Sequence, residues 1–135
     1  MRLLHTMFMV TDLERSTRFY TEVFGMTVLR KQEFPQGRFS LVFLGYGPET
    51  ENTVLEITHN WDTDAYTQGN AYGHIAIQCD DLEATCENVR TSEGELSSEP
   101  KQMTNGPIMA FARDPDGYSI EILGEDCLDF LSTEA

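Results

Sequence analysis

The sequence is poor in cysteine and in basic residues, and both shortages exclude classes of protein. Its three cysteines are an odd number with no CxxC pair, which argues against a disulfide framework and against a thiolate zinc site. Lys and Arg number 9 against 23 Asp and Glu, giving a net charge of −14, and no basic cluster is present. We therefore expect no binding to nucleic acid or to an anionic membrane.

Long apolar runs are also missing. No stretch reaches the length that crosses a bilayer, and no segment resembling a signal peptide precedes the first run with strand character. Free thiols fit a reducing compartment. The expected protein is therefore soluble and cytoplasmic. With 135 residues and 40% hydrophobic residues, the chain is large enough to bury a core.

The most informative feature is an internal repeat. Residues 5–14 (HTMFMVTDLE) and 74–83 (HIAIQCDDLE) both begin with histidine and end with Asp-Leu-Glu at the same offset. The two copies also end alike, with VLEI at 54–57 and SIEI at 119–122. Each copy has the pattern β-α-β-β-β. One such module is too small to bury its own sheet face, so two modules or two chains must combine.

The predicted fold is therefore α+β, with two βαβββ modules whose mixed sheets form a concave site. The modules are expected at 1–61 and 73–124, joined by a linker at 62–72. An acidic C-terminal tail follows at 125–135, with a short helix through Leu128 and Leu131. The predicted later strands of the two modules are Thr27–Lys31, Phe39–Leu44, Thr53–Thr58, Leu96–Ser98, Ile108–Ala112 and Tyr118–Leu123.

Helix ends are marked by capping residues. Thr11 or Asp12 is expected to cap the first helix, and Gly25 to end it. In the second copy, Asp80 and Glu83 have the spacing of a capping box.

Strand alternation brings four polar residues to the non-helical faces of the two sheets. Side chains alternate between faces, so assigning Leu4, Thr6, Phe8 and Val10 to the helix-packed core places His5 on the opposite face. The same argument places Glu56, His74 and Glu121 there. Singly, such a histidine is usually structural and such a glutamate usually solvated. Their recurrence at matching positions favours metal ligands, because two nitrogens and two oxygens suit a borderline divalent ion. His59 has no counterpart and is expected to be a loop histidine.

Several motifs together resemble the glyoxalase I (lactoylglutathione lyase) family of the vicinal-oxygen-chelate superfamily, in its short bacterial form. The resemblance covers about residues 2–124. It rests on the following motifs: LLHTM at 3–7, DLERS at 12–16, RFY at 18–20, FLGYGPE at 43–49, VLE at 54–56, AYGHIA at 71–76, DPDGY at 114–118 and IE at 120–121.

The resemblance implies a homodimer with shared active sites, in which His5 and Glu56 of one chain meet His74 and Glu121 of the other. It implies Ni²⁺ or Co²⁺ as the metal, with Zn²⁺ as the alternative, and glutathione as co-substrate. The implied reaction converts the methylglyoxal–glutathione hemithioacetal to S-D-lactoylglutathione through an enediolate. Glu121 is the implied base, and Glu56 is its near-symmetric partner.

The substrate contacts match the family less well. The family usually carries an arginine four residues after the first metal histidine, where this chain has Met9. Asn60 matches a family glutathione contact. In the expected loop 99–106, only Lys101 is a candidate for the family's other basic contacts. A different thiol or a related carbonyl substrate therefore stays open.

Two other functions remain alternatives. A ring-cleaving dioxygenase of the superfamily would use two histidines and one glutamate for iron, and the second glutamate argues against it. A non-enzymatic module could bind a small ligand or a metal in the same cavity.

Overall fold

The chain folds into two units, and a computed structural model describes residues 1–131. The first unit comprises Met1–Asn70, and the second begins at Ala71. Each unit is a βαβββ module built on a four-stranded mixed sheet, so the α+β prediction is confirmed. Within the described residues, no helix is long and apolar enough to cross a membrane.

In the first unit, the sheet order is β1-β4-β3-β2. The strands are β1 (His5–Met9), β2 (Thr27–Phe34), β3 (Phe39–Gly45) and β4 (Val54–Asn60), and helix α1 spans Leu13–Phe24 between β1 and β2. Strands β1 and β4 are parallel, and the other neighbours are antiparallel. The first and last strands of the module therefore lie side by side, although 44 residues separate Met9 from Val54 along the chain.

The second unit repeats this order as β5-β8-β7-β6. Its strands are β5 (Ile75–Gln78), β6 (Glu95–Gln102), β7 (Ile108–Arg113) and β8 (Ser119–Leu123), and helix α2 spans Leu82–Arg90. A 3₁₀ turn at Glu125–Cys127 and helix α3 at Leu128–Leu131 follow, as predicted for the start of the tail. Residues 132–135 of the predicted tail lie outside the described residues.

The ends of the helices show which capping predictions hold. Asp12 caps α1 by accepting a hydrogen bond from the Arg15 backbone N–H, and Gly25 ends it at φ +66°. A left-handed φ suits glycine because it has no Cβ to clash. In α2 the cap is Asp81, which accepts from the Ala84 N–H. The prediction of Asp80 was wrong, because the chain places the second of two adjacent aspartates at the turn into the helix.

Several strand boundaries differ from those predicted. β2 and β6 continue to Phe34 and Gln102, well beyond the predicted Lys31 and Ser98. Both are edge strands of their sheets, so their solvent-facing residues are largely polar and give little hydrophobic signal. As a result, Lys101 lies on a strand and not on a loop, which corrects the prediction.

The core of each unit lies between its helix and its sheet. Tyr20 of α1 and Ile57 of β4 have no exposed surface, and neither do Ile120 and Ile122 of β8. Burying such a side chain contributes about 1.5–3 kcal/mol. In β8 the two isoleucines flank Glu121, so their burial fixes the direction in which that carboxylate points. The prediction that Leu4 and Thr6 lie in the core was wrong. Leu4 precedes β1 and is 57% exposed, and Thr6 is exposed within β1.

Candidate metal-binding site

His5 and Glu56 form a pair on one face of the first sheet. The Nε2 atom of His5 lies 3.5 Å from Oε1 of Glu56. His5 begins β1, and Glu56 lies on the neighbouring strand β4 opposite Met7. Because side chains two residues apart share a face, His5, Met7 and Glu56 point to the same side of the sheet. We call His5 and Glu56 the first half-site.

The carboxylate of Glu56 is oriented by its own strand. Thr58, two residues later on the same face, donates a hydrogen bond from Oγ1 to Glu56 Oε2 at 2.7 Å. The Glu56 side chain is 13% exposed, whereas that of His5 is 38% exposed. The carboxylate is thus held within the sheet face, and the imidazole reaches toward solvent.

His74 and Glu121 form the matching pair in the second unit. Their Nε2 and Oε2 atoms are 3.3 Å apart, and their side chains are 43% and 17% exposed. His74 immediately precedes β5, and Glu121 lies on β8 opposite Ala76. These distances and exposures closely repeat those of the first pair. We call His74 and Glu121 the second half-site.

An aromatic ring stands beside each histidine. Phe43 of β3 lies opposite Glu56 and meets the His5 ring nearly at right angles, with centroids 5.3 Å apart. Phe111 of β7 lies opposite Glu121 and meets His74 in the same manner at 5.4 Å. Each imidazole is therefore supported by packing as well as by its carboxylate neighbour.

The donor atoms fit one half of a metal site in each unit. An imidazole nitrogen and a carboxylate oxygen are ligands for borderline divalent ions. Within residues 1–131, no group of three or more His, Cys, Asp or Glu side chains is arranged to hold a metal ion. Protein metal sites usually use three or four protein ligands. Each pair alone therefore supplies only two of the ligands that such a site needs.

Met9 and Asn60 also meet on the first sheet, at the end of β4. The Asn60 amide nitrogen donates to the thioether of Met9 at 3.4 Å and contacts the Tyr66 hydroxyl at 3.2 Å. Asn60 was expected to follow the strand, but it is the last residue of β4. Sequence analysis missed Tyr66, which lies in the predicted linker and gives no periodic signal. This neutral cluster lies on the same strand face as Glu56, because Asn60 is four residues further on.

The two remaining candidate residues, Lys101 and His59, belong neither to the two His–Glu pairs nor to the cluster of Met9 and Asn60. Lys101 is exposed on β6 and pairs with Met109, which is two residues from Phe111 on β7. His59 lies within β4 and not in a loop, so that expectation was wrong. Its Nδ1 atom is 3.0 Å from the Val10 carbonyl oxygen, a contact that ties the end of β1 to β4. His59 thus has a structural role.

Two βαβββ units, each with a His–Glu pair on its sheet, define a protein of the glyoxalase fold class. The chain belongs to the Glyoxalase/Bleomycin resistance protein/Dioxygenase superfamily, whose family model matches residues 2–122.

Individual relatives are similar over most of the chain. Lactoylglutathione lyase of Neisseria meningitidis is 53% identical over 124 residues, which cover 91% of this chain and 90% of that protein. The trypanothione-dependent glyoxalase I of Leishmania major superposes with a TM-score of 0.85 at 45% identity, covering 98% of this chain and 92% of the other. Glyoxalase I of Zea mays gives a TM-score of 0.86 at 41% identity over 90% of this chain. The chain spans only 44% of the maize chain.

Proposed function

We propose that this protein is a lactoylglutathione lyase (glyoxalase I), an enzyme of the lyase class. It isomerises the hemithioacetal of methylglyoxal and glutathione to S-D-lactoylglutathione through an enediolate. The observation that carries the proposal is the repeated His–Glu pair, with Nε2–O distances of 3.5 Å and 3.3 Å in the two units. The similarity to lactoylglutathione lyases over nine-tenths of the chain supports it.

The proposed metal site is shared between two chains of a homodimer. His5 and Glu56 of one chain would join His74 and Glu121 of a second chain to give two nitrogens and two oxygens. Such a set suits Ni²⁺ or Co²⁺, with Zn²⁺ as the alternative. Two carboxylates also balance the charge of a divalent cation. When bound, the ion supplies Lewis-acid stabilisation for the oxyanion that develops on the substrate.

The two glutamates have different surroundings, and this difference supports Glu121 as the base. Glu56 accepts a hydrogen bond from Thr58. The matching position two residues after Glu121 is Leu123, whose side chain has no hydrogen-bonding group. Glu121 therefore lacks this restraint and is the freer of the two to carry a proton between adjacent substrate carbons. General-base transfer of this kind contributes about 10²–10⁴-fold to the rate.

The thiol part of the substrate is proposed to lie near Met9 and Asn60, with Lys101 as a further candidate contact. Met9 offers no positive charge to a carboxylate, and the chain carries a net charge of −14. We make a second proposal that concerns the thiol alone. The enzyme accepts a thiol that carries less negative charge than glutathione. The similar Leishmania major enzyme is trypanothione-dependent, so similar enzymes differ in the co-substrate on which they depend.

We also propose the cytoplasm as the compartment, because the three cysteines are free thiols and such thiols persist in reducing surroundings.

The test is an isomerase assay of purified protein, stripped with a chelator and reloaded with Ni²⁺, Co²⁺ or Zn²⁺. Methylglyoxal plus glutathione should yield the lactoyl thioester only after metal is restored. A protein that binds metal but forms no thioester with any thiol would be a non-enzymatic binding module. Turnover of a catechol with Fe²⁺ would favour the dioxygenase alternative.

A further inference from the structure

Arg30 is held rigidly beside the first half-site. Its guanidinium carbon lies 3.7 Å from the centroid of the Phe43 ring, and the His5 ring packs against this same phenylalanine. The Nε and Nη2 atoms of Arg30 donate to the two carboxylate oxygens of Glu49 at 2.6 Å and 3.1 Å. Nη1 donates to Gln32 at 2.9 Å. All three guanidinium nitrogens therefore have acceptors, and the planar group is fixed over the ring.

These residues form a continuous row across the first sheet. Glu56 pairs with Phe43, and Phe43 pairs with Arg30, so the three side chains share one face. Electrostatics agrees with this placement. The hydrogen bond to Glu49 is the largest cause that raises the pKa of Arg30, and the carboxylate of Glu56 adds a smaller effect.

The corresponding row of the second sheet lacks the cation. Glu121 pairs with Phe111, and Phe111 pairs with Ser98. Ser98 thus occupies the position of Arg30, and its short side chain has no planar cation to stack on the ring. The two half-sites match in their histidine, glutamate and phenylalanine, and they differ at this fourth position.

We infer that Arg30 is a positioning residue of the first half-site, which fixes Phe43 and through it the metal-binding orientation of His5. The inference rests on the proposed function, since it assumes that His5 and Glu56 bind the metal. Arg30 therefore holds the first half-site in its metal-binding geometry before the metal arrives. The second half-site, with Ser98, is free to adjust while Glu121 transfers a proton.

Shape, rather than charge, is the main contribution of Arg30. Its positive charge is balanced by Glu49, so the pair as a whole changes the local potential little. A lysine would keep the charge but could not form the two-pronged contact with Glu49 or stack as a plane on the ring. Arg30→Lys therefore separates the positioning effect from the electrostatic effect.

The experiment measures metal affinity by chelator competition, using full-length protein stripped of metal and titrated with Co²⁺ and Ni²⁺. Arg30→Lys should weaken affinity by about tenfold, the lower end of the effect seen for residues that orient metal ligands. Glu49→Gln should weaken affinity at least as much, because it removes the same contact and also leaves the charge of Arg30 unbalanced. The visible spectrum of the Co²⁺ protein should change as well. Excess metal should restore kcat, and the KM for hemithioacetal should stay unchanged, because Arg30 is not assigned a substrate contact.

Arg38 provides a matched control. It donates from Nε and Nη2 to Asp62 at 2.6 Å and 2.7 Å and lies 5.5 Å from the Trp61 ring. It therefore combines the same kinds of contact away from His5. Arg38→Lys should leave metal affinity unchanged. A loss equal to that of Arg30→Lys would overturn the inference.

Other outcomes separate this inference from the proposed function. If the unaltered protein binds Co²⁺ and isomerises the hemithioacetal, but Arg30→Lys and Glu49→Gln bind metal within twofold of it, only the positioning role is wrong. If the unaltered protein binds no divalent metal, the proposed function fails, and the inference that rests on it fails too. Circular dichroism of each variant verifies that it is folded.

Discussion

The hydroxyl of Thr58 and the carboxylate of Glu56 are joined by a hydrogen bond of 2.7 Å on one face of β4. Both side chains are largely shielded from solvent, since Thr58 is 5% exposed and the Glu56 side chain 13%. Hydrogen bonds to a carboxylate are stronger than those between neutral groups. Thr58 therefore fixes one oxygen of Glu56 and leaves the other directed at His5.

Thr58→Val should weaken metal binding by about tenfold, because it removes the hydroxyl that orients Glu56 while keeping the shape of the side chain. Chelator competition on the stripped protein measures the change. Thr53→Val is the control, since the Thr53 hydroxyl donates to the Leu3 carbonyl, outside the half-site. Equal affinity of both variants would mean that Thr58 does not orient a metal ligand.

Glu121→Gln should lower kcat by about 10²–10⁴-fold, because an amide cannot accept the substrate proton. Metal should still bind through the other three proposed ligands, so affinity should fall much less than turnover. Turnover is measured at saturating Ni²⁺, and bound metal is measured separately. Glu87→Gln on the exposed side of α2 is the control. Near-normal turnover of Glu121→Gln would show that another group is the base.

The His–Glu pairs could be predicted from sequence because strand alternation has a period of two residues. The buried neighbours Ile120 and Ile122 leave only one direction for Glu121.

The extent of β6 could not be predicted, since its sequence ELSSEPKQ is polar and contains Pro100. Proline is tolerated there because an edge strand need not donate from every backbone N–H. The stacking of Arg30 on Phe43 depends on pairing between strands, which no local pattern encodes.

Asp81→Ala should destabilise the protein by about 1 kcal/mol, because the Ala84 N–H loses its side-chain acceptor. Asp80→Ala is the natural control, because it removes an equal charge from the adjacent residue outside the cap position. It should change the free energy of unfolding by less than about 0.5 kcal/mol. Urea denaturation monitored by circular dichroism measures both. Equal losses would show that charge, and not capping, accounts for the effect.

Cys86 should make the protein less stable at alkaline pH. The side chain is completely buried, and burial raises the pKa of its thiol to about 11 from the usual 9.0. Between pH 9 and pH 11 the folded state keeps a proton that the unfolded state has lost, so the free energy of unfolding falls as pH rises. Below pH 9 both states are protonated, and this contribution is constant.

Denaturant titrations at pH 7, 9 and 10 measure the effect, and Cys86→Ala should reduce the alkaline slope. Alkylation gives an independent check: the buried thiol should react slowly in the native protein and rapidly after unfolding. Identical alkaline slopes for the two proteins would mean that Cys86 ionises equally well in the folded state.

Met9→Arg should improve the use of glutathione. We expect a new guanidinium beside Asn60 to pair with a substrate carboxylate, a contact that contributes about 1.5–3 kcal/mol. The lower figure corresponds to about tenfold in KM for the hemithioacetal. The gain should shrink as salt is raised, because an exposed ion pair is screened.

Met9→Leu separates charge from packing, because it removes the thioether that accepts from Asn60 without adding a cation. Its KM should stay close to that of the unaltered protein. If Met9→Arg and Met9→Leu give the same KM with glutathione, no substrate carboxylate reaches β1 at this position. In that case a comparison of thiols with fewer negative charges would decide which one the enzyme prefers, since the Met9–Asn60–Tyr66 cluster would then select for a neutral group.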